Sequence, residues 1–120
     1  MAEFEIDGKE YEVKLNIEAI NNINKKHNSA LEFVGEVMQG NLDVFIDVIH
    51  LGLLHTKEGF TRKTIQEEFD KKFEKEEIDL DYILVTGNEV VTDNFFFRKT
   101  VNKMMKSDPK LKEQMDTIYK

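Results

Sequence analysis

The spacing of apolar positions changes along the chain, and each change marks an element. Residues 1–15 alternate: Phe4 and Ile6 follow Glu3 and Glu5, and Tyr11, Val13 and Leu15 are interleaved with Glu10, Glu12 and Lys14. A period of two belongs to a half-buried strand. Asp7-Gly8 between the two runs marks a β-hairpin, because a type I′ turn needs positive φ at two successive residues. A two-residue turn sets Phe4 opposite Tyr11 and Ala2 opposite Val13 on the apolar side. The other side then sets Glu3 against Glu12 and Glu5 against Glu10. Like charges facing one another are mildly destabilising. That face is expected in water, the alternative being a cationic partner.

At Leu15-Asn16-Ile17 the period becomes helical. Asn16 is placed to cap the helix, with Leu15 and Ile20 as a hydrophobic staple. Ile17, Ile20, Ile23 and His27 form the expected stripe, and Lys25 and Lys26 suit the negative helix end. Ser29-Ala30-Leu31-Glu32 reads as a capping box opening a short helix with Leu31, Val34, Val37 and Met38 inward, ending at Gly40. Residues 41–55, NLDVFIDVIHLGLLH, are the most apolar run. Leu42, Phe45, Ile46, Ile49 and Leu53 share one face, while Val44, Val48 and Leu51 cover much of the other. Such a helix must be covered from several directions. Gly52 costs about 1 kcal/mol in a helix interior, so its expected use is to admit a neighbouring helix.

After a polar loop at 56–59, Phe60 and Ile65 bracket the start of a helix whose stripe is Ile65, Phe69 and Phe73. Residues 67–81 carry eight acids and three lysines, which predicts a solvated outer face. Residues 82–92 read two ways: a second hairpin around Gly87-Asn88, favoured by Val, Ile and Thr, or a helix with Ile83, Val90 and Phe97 at heptad spacing. The stripe favours the helix. Asn94 to Lys106 follows as a helix with Phe97, Val101, Met104 and Met105. Asp108-Pro109 is a cap and first-turn pair opening a last amphipathic helix with Leu111, Met115 and Ile118. The predicted fold is α+β and predominantly α-helical. An N-terminal hairpin precedes a compact bundle of about five to six helices around the apolar helix at 41–55. Residues 1–120 read as a single domain: hairpin 1–15, helical core 16–106, amphipathic C-terminal helix 107–120.

Composition narrows the function. With 120 residues, 40% of them hydrophobic and 34% charged, the chain is ordinary for one globular domain. It has no apolar run long enough to span a bilayer. Its start, MAEFEIDG, lacks the pattern of a signal peptide, and a cytoplasmic location is the simplest expectation. Cysteine is absent, which removes disulfides and Cys-ligated zinc. The net charge is −7, with residues 1–97 at −11 and Arg98 to Lys120 at +4. An acidic body disfavours general nucleic-acid binding. The basic end is expected to be a solvated face, with contact to an acidic partner as the alternative.

No HExxH, phosphate-binding glycine loop, GxSxG or calcium-loop pattern occurs, so no catalytic residue, cofactor or metal is expected. Asp43, Asp47 and His50 lie on one helical strip and have the residue types of a metal site. Nothing supplies ligands from partner elements, and the strip reads as the wet edge of a buried helix. Phe95-Phe96-Phe97 cannot all share one narrow face at about 100° per residue. Either two elements pack on this run, the more frequent outcome, or a ring stays exposed for a partner. Met104, Met105 and Met115 add adaptable apolar surface.

Taken in order, FEIDGKEYEVKLNIEAINNINKKH, GNLDVFIDVIHLGLLH followed by GFTRKTIQEEFD, and FFFRKTVNKMMK resemble the tail assembly chaperones of long-tailed phages and prophages of Gram-positive bacteria. Each piece is ordinary; the ordered combination carries the likeness, over most of the chain. VTGNEVV is more β-branched than that family's pattern at this place. The resemblance implies a non-enzymatic protein that associates with the tape measure protein while the tail tube polymerises around it. It further implies the tail tube protein as a second candidate partner, action in the host bacterial cytoplasm, and absence from the mature virion. Self-association is left open; neither nucleic acid nor membrane is an expected partner. The contact expected from the apolar pattern uses Phe95, Phe96, Met104, Met105, Leu111, Met115 and Ile118. The competing class is a small acidic inhibitor or adaptor that covers a basic surface of another protein, using the hairpin carboxylates and residues 67–81.

Overall fold

The computed structural model describes residues 2–107, apart from the side chains of Met105 and Ser107. Strands β1 (Glu3–Ile6) and β2 (Lys9–Glu12) pair antiparallel with Phe4 opposite Tyr11, Glu3 opposite Glu12 and Glu5 opposite Glu10. Asp7 (φ 51°) and Gly8 (φ 82°) supply the two positive φ values of the turn. Six helices follow among the described residues: α1 (Ile17–Lys26), α2 (Ala30–Met38), α3 (Leu42–Gly52), α4 (Arg62–Glu74), α5 (Leu80–Asp93) and α6 (Phe95–Ser107). A single 3₁₀ turn, Leu54–Thr56, follows α3.

The caps expected at Asn16 and Ser29 are in place, and Asn41 and Thr61 act in the same way. Asn16, Ser29, Asn41 and Thr61 each accept a hydrogen bond from the backbone N–H three residues on, satisfying a donor that the helix itself leaves unpaired. The long acidic helix of the sequence reading is shorter than expected. Lys75 ends α4, Glu76 turns left-handed (φ 58°), and Asp79 caps α5 by accepting from the Tyr82 N–H. Residues 82–92 are helical. Gly87, an expensive residue in a helix, earns its place through close packing: a Cβ there would stand 3.0 Å from Val37 Cγ1 and 3.4 Å from the Phe45 ring. Buried contact with α2 and α3 outweighs the local β preference.

Helix α3 is the centre, packed against α1, α2, α4 and α5. Val44, Phe45, Ile46, Val48, Ile49 and Leu51 are all buried. An aromatic chain crosses the core: Phe4 stacks on Phe69 at 5.1 Å, Phe69 meets Phe45 edge-on at 5.6 Å, and Phe45 meets Tyr82 at 6.0 Å. It ties the hairpin to α4, α3 and α5. Ile83, Val90 and Phe97 are buried as their heptad spacing predicts, although the helix breaks between the last two.

Four inward assignments are corrected. Ile17, Leu31, Leu42 and Phe73 are exposed, and Ala19, Phe33, Ile46 and Phe69 take the buried places on their helices. On α1 and α2 the buried arc reaches Ala19 and Phe33, outside the expected stripe; on α3 and α4 the expected Phe45, Ile46, Ile49, Ile65 and Phe69 are buried and only Leu42 and Phe73 fall outside. Gly52 faces the hairpin rather than a helix. Its carbonyl accepts from the Lys14 N–H at 2.8 Å, and a Cβ would overlap Val13. Of the helix expected over 107–120, Ser107 is the last residue of α6 and 108–120 lie outside the described residues.

A candidate partner-binding surface

The site is built at the break between α5 and α6. Asn94 leaves the helix with extended backbone (ψ 117°) and uses both side-chain groups and its carbonyl. Its side-chain oxygen accepts from the Phe96 N–H at 2.8 Å, and its carbonyl accepts from the Phe97 and Arg98 N–H groups, starting α6. Its amide donates to the Leu15 carbonyl at 2.7 Å, pinning this corner to the link between hairpin and α1. Arg98 reaches back to the Thr92 and Asp93 carbonyls at 2.8 and 3.1 Å, covering the negative end of α5.

A fixed corner of this kind divides the three phenylalanines. Phe97 is buried against the core, and Phe96 rests edge-on against it at 5.3 Å. Phe95 is 83% exposed and Phe96 55% exposed. The more frequent outcome, in which all three rings find core contacts, is therefore not what the chain does. Phe95 stands on a ridge between two clefts of about 470 Å³ each. One lies against α1, with Ile17, Ile20 and Phe96 in its wall; the other lies between the end of the hairpin and α5, with Val13 and Val90. The polar lining of the α1 cleft consists of amides, Asn16, Asn21, Asn24 and Asn94, with no charge among them. The cleft beside the hairpin is also lined by Glu12, Lys14 and Asp93, so the uncharged part of the ridge is its α1 side, which fits the interior of a protein contact, where charge is depleted.

Of the residues expected to form the contact, Phe95 and Phe96 are on this surface. Met104 is half-buried against the core, its methyl close to Gly35 on α2. The Met105 side chain, and Leu111, Met115 and Ile118, lie outside the described residues. Ile17, 79% exposed beside the two rings, is a member the sequence reading placed in the core. The asparagines that alternate with the isoleucines of α1 were the available sign of an uncharged face.

The strip Asp43, Asp47, His50 is not a wet edge. Asp47 is only 4% exposed. Its Oδ1 accepts from Lys26 Nζ at 2.9 Å and from Arg62 Nε at 2.7 Å, joining α1, α3 and α4. His27 Nε2 lies 3.3 Å from the other oxygen without hydrogen-bond alignment. Arg62 also reaches the exposed Asp43 carboxylate at 2.7 Å. Burial pushes the Asp47 carboxyl up, but the hydrogen bonds and charges of Lys26 and Arg62 together hold it below the ordinary value. Burial, then the Lys26 charge, hold the His50 imidazole below its usual range. These groups clamp helices together; among the described residues no three potential ligands are gathered for a metal. No single described helix is long and apolar enough to cross a membrane.

The hairpin-led helical domain thus carries an apolar ridge with amides on its α1 side and Glu12, Lys14 and Asp93 on the other. The family model of the phage tail assembly chaperone protein, TAC, matches residues 3–106, and the chain belongs to that family. No curated protein and no solved structure matches it.

Proposed function

We propose that this tail assembly chaperone binds the tape measure protein through the surface of Ile17, Ile20, Phe95 and Phe96. It does so in the host cytoplasm, without catalysis, and leaves before the virion is complete. The observation that carries the reading is the exposure of Phe95 and Phe96 at a corner that Asn94 and Arg98 hold rigidly. A tape measure protein is long and exposes apolar helical surface before the tube encloses it; rings presented on a fixed ridge can cover such a surface. Because the corner is already ordered, little conformational entropy is lost on contact. In this proposal Met104, Met105, Leu111, Met115 and Ile118 join the same contact.

The test is co-expression of the tape measure protein with wild type or with the double variant Phe95→Ser, Phe96→Ser. Wild type keeps the tape measure protein soluble and co-purifies with it. The double variant, with helicity unchanged, loses both properties; undiminished co-purification would refute the assignment. The second reading, an acidic adaptor, draws on the exposed carboxylates of the hairpin, where Glu10 is held above its ordinary value by a hydrogen bond to Glu3 and by its charge. It predicts partner binding that collapses with added salt, whereas the apolar contact persists.

A further inference from the structure

The far end of α5 carries a second apolar opening. Leu42 from α3, Phe73 from α4 and Leu80 from α5 are all exposed large side chains, Phe73 at 67%. They edge a groove of about 410 Å³ floored by Ile46, Phe69 and Ile83. Gly40 (φ +80°) closes one wall; a Cβ there would meet Leu84 at 2.9 Å and Leu80 at 3.1 Å, so the turn lies directly on α5. No residue lines both this groove and the α1 cleft beside Phe96. The two lie at opposite ends of α5, separated by about 20 Å of helix.

Its charge is one-sided. The lining holds two carboxylates, Asp70 and Asp79, and no cation. The two lysines of α4 next to Asp70 are engaged elsewhere: Lys71 and Lys72 pair with Glu68, and Lys72 donates to the Glu5 carbonyl on the hairpin. Exposed Glu74 and Asp81 follow the groove residues Phe73 and Leu80 on their helices. An apolar floor with an acidic edge calls for an occupant that is apolar on one face and cationic beside it.

We propose that this groove docks an amphipathic helix of a partner protein, with apolar anchors at helical spacing and flanking Lys or Arg. The anchors enter between Phe73 and Leu80, and the cations meet Asp70 and Asp79. The site is separate from the contact at Phe95 and Phe96 and stands whether or not that contact is made. Two sites at the two ends of α5 hold one long helical partner at two points, raising effective affinity without new contacts.

The test uses two labelled designed helices with identical leucine anchors, one flanked by lysines and one by glutamates, titrated against the full chain by fluorescence anisotropy. The lysine helix binds and the glutamate helix does not. Phe73→Glu, at an exposed position, and Asp70→Lys each weaken the lysine helix roughly tenfold, and Asp70→Lys improves the glutamate helix. The Phe95→Ser, Phe96→Ser variant binds the lysine helix as wild type does, which separates this site from the other. Equal binding of both helices, or indifference to Phe73→Glu, overturns the proposal. So does a concentration-dependent dimer, by sedimentation, that Phe73→Glu abolishes, since the groove would then belong to a second copy.

Discussion

Replacing Asp47 with Asn tests whether the buried carboxylate clamps α1 and α4 onto α3. Asp47 Oδ1 takes charge-assisted hydrogen bonds at 2.9 Å from Lys26 and 2.7 Å from Arg62. Bonds to a charged group contribute about 1.5–3 kcal/mol each, and breaking a fully buried pair costs about 3–5 kcal/mol. Here the stranded cations can rehydrate, because the Lys26 side chain is 49% exposed and that of Arg62 31%. Asn also keeps one acceptor oxygen. The expected loss is therefore about 2 kcal/mol, or about 8 °C in melting midpoint for a chain of this size. Denaturant unfolding at neutral pH, followed by circular dichroism, measures it. The pH dependence is the sharper check. A carboxyl held below its ordinary value contributes stability that is complete above the unfolded value of about 3.9 and is lost as pH falls through the folded value. The gap between wild type and Asp47→Asn therefore closes as pH falls below about 4. A loss under about 0.5 kcal/mol, or a gap unchanged in strong acid, would refute the clamp.

Other parts of the fold give equally definite outcomes. Gly52→Ala, stabilising in an unencumbered helix, here lowers stability by about 1–3 kcal/mol by driving a methyl into Val13; thermal melts decide its sign. On α4, Phe69→Ala costs about 3–5 kcal/mol and Phe73→Ala under about 0.5, since only the first is buried; urea midpoints compare them. His50, held below its usual range, stays neutral in the folded chain while the unfolded chain takes up a proton. Stability accordingly falls as pH drops from about 6.5 through the folded value, and His50→Gln flattens that part of the melting-temperature profile. Glu10→Lys relieves the repulsion with Glu3 and raises the melting midpoint at low salt, with the gain shrinking as salt is added.

The local grammar of the chain was legible. Asp7-Gly8 specified its turn, the four caps opened their helices, and the apolar run 42–51 took the centre. The full extent of each buried face was not. Ile17 and Ile23 both fit a stripe, and only the position of α1 against α2 and α3 decides that Ile23 is inside. Asp47 shows the same limit: an acid on an apolar helix reads as solvated until Lys26 and Arg62, 21 residues before and 15 after, are brought to it. In the candidate surface, the impossibility of burying three consecutive phenylalanines on one face was visible beforehand. Which ring would be buried depended on the helix break at Asn94, whose second partner, Leu15, is 79 residues away. The second groove left no sequence sign, because Leu42, Phe73 and Leu80 come from three helices and each resembles a core residue in its own stretch.

The central claim, that this chaperone acts on the tape measure protein, is tested most directly by capturing tagged protein from phage-producing cells and identifying its partners by mass spectrometry. Purified virions are probed for the chain in parallel. The account predicts that a very long, helix-rich tail protein is recovered with the chain and that the chain is missing from virions. Recovery of a basic nuclease or DNA-binding protein in its place, or the chain found as a virion component, would contradict it.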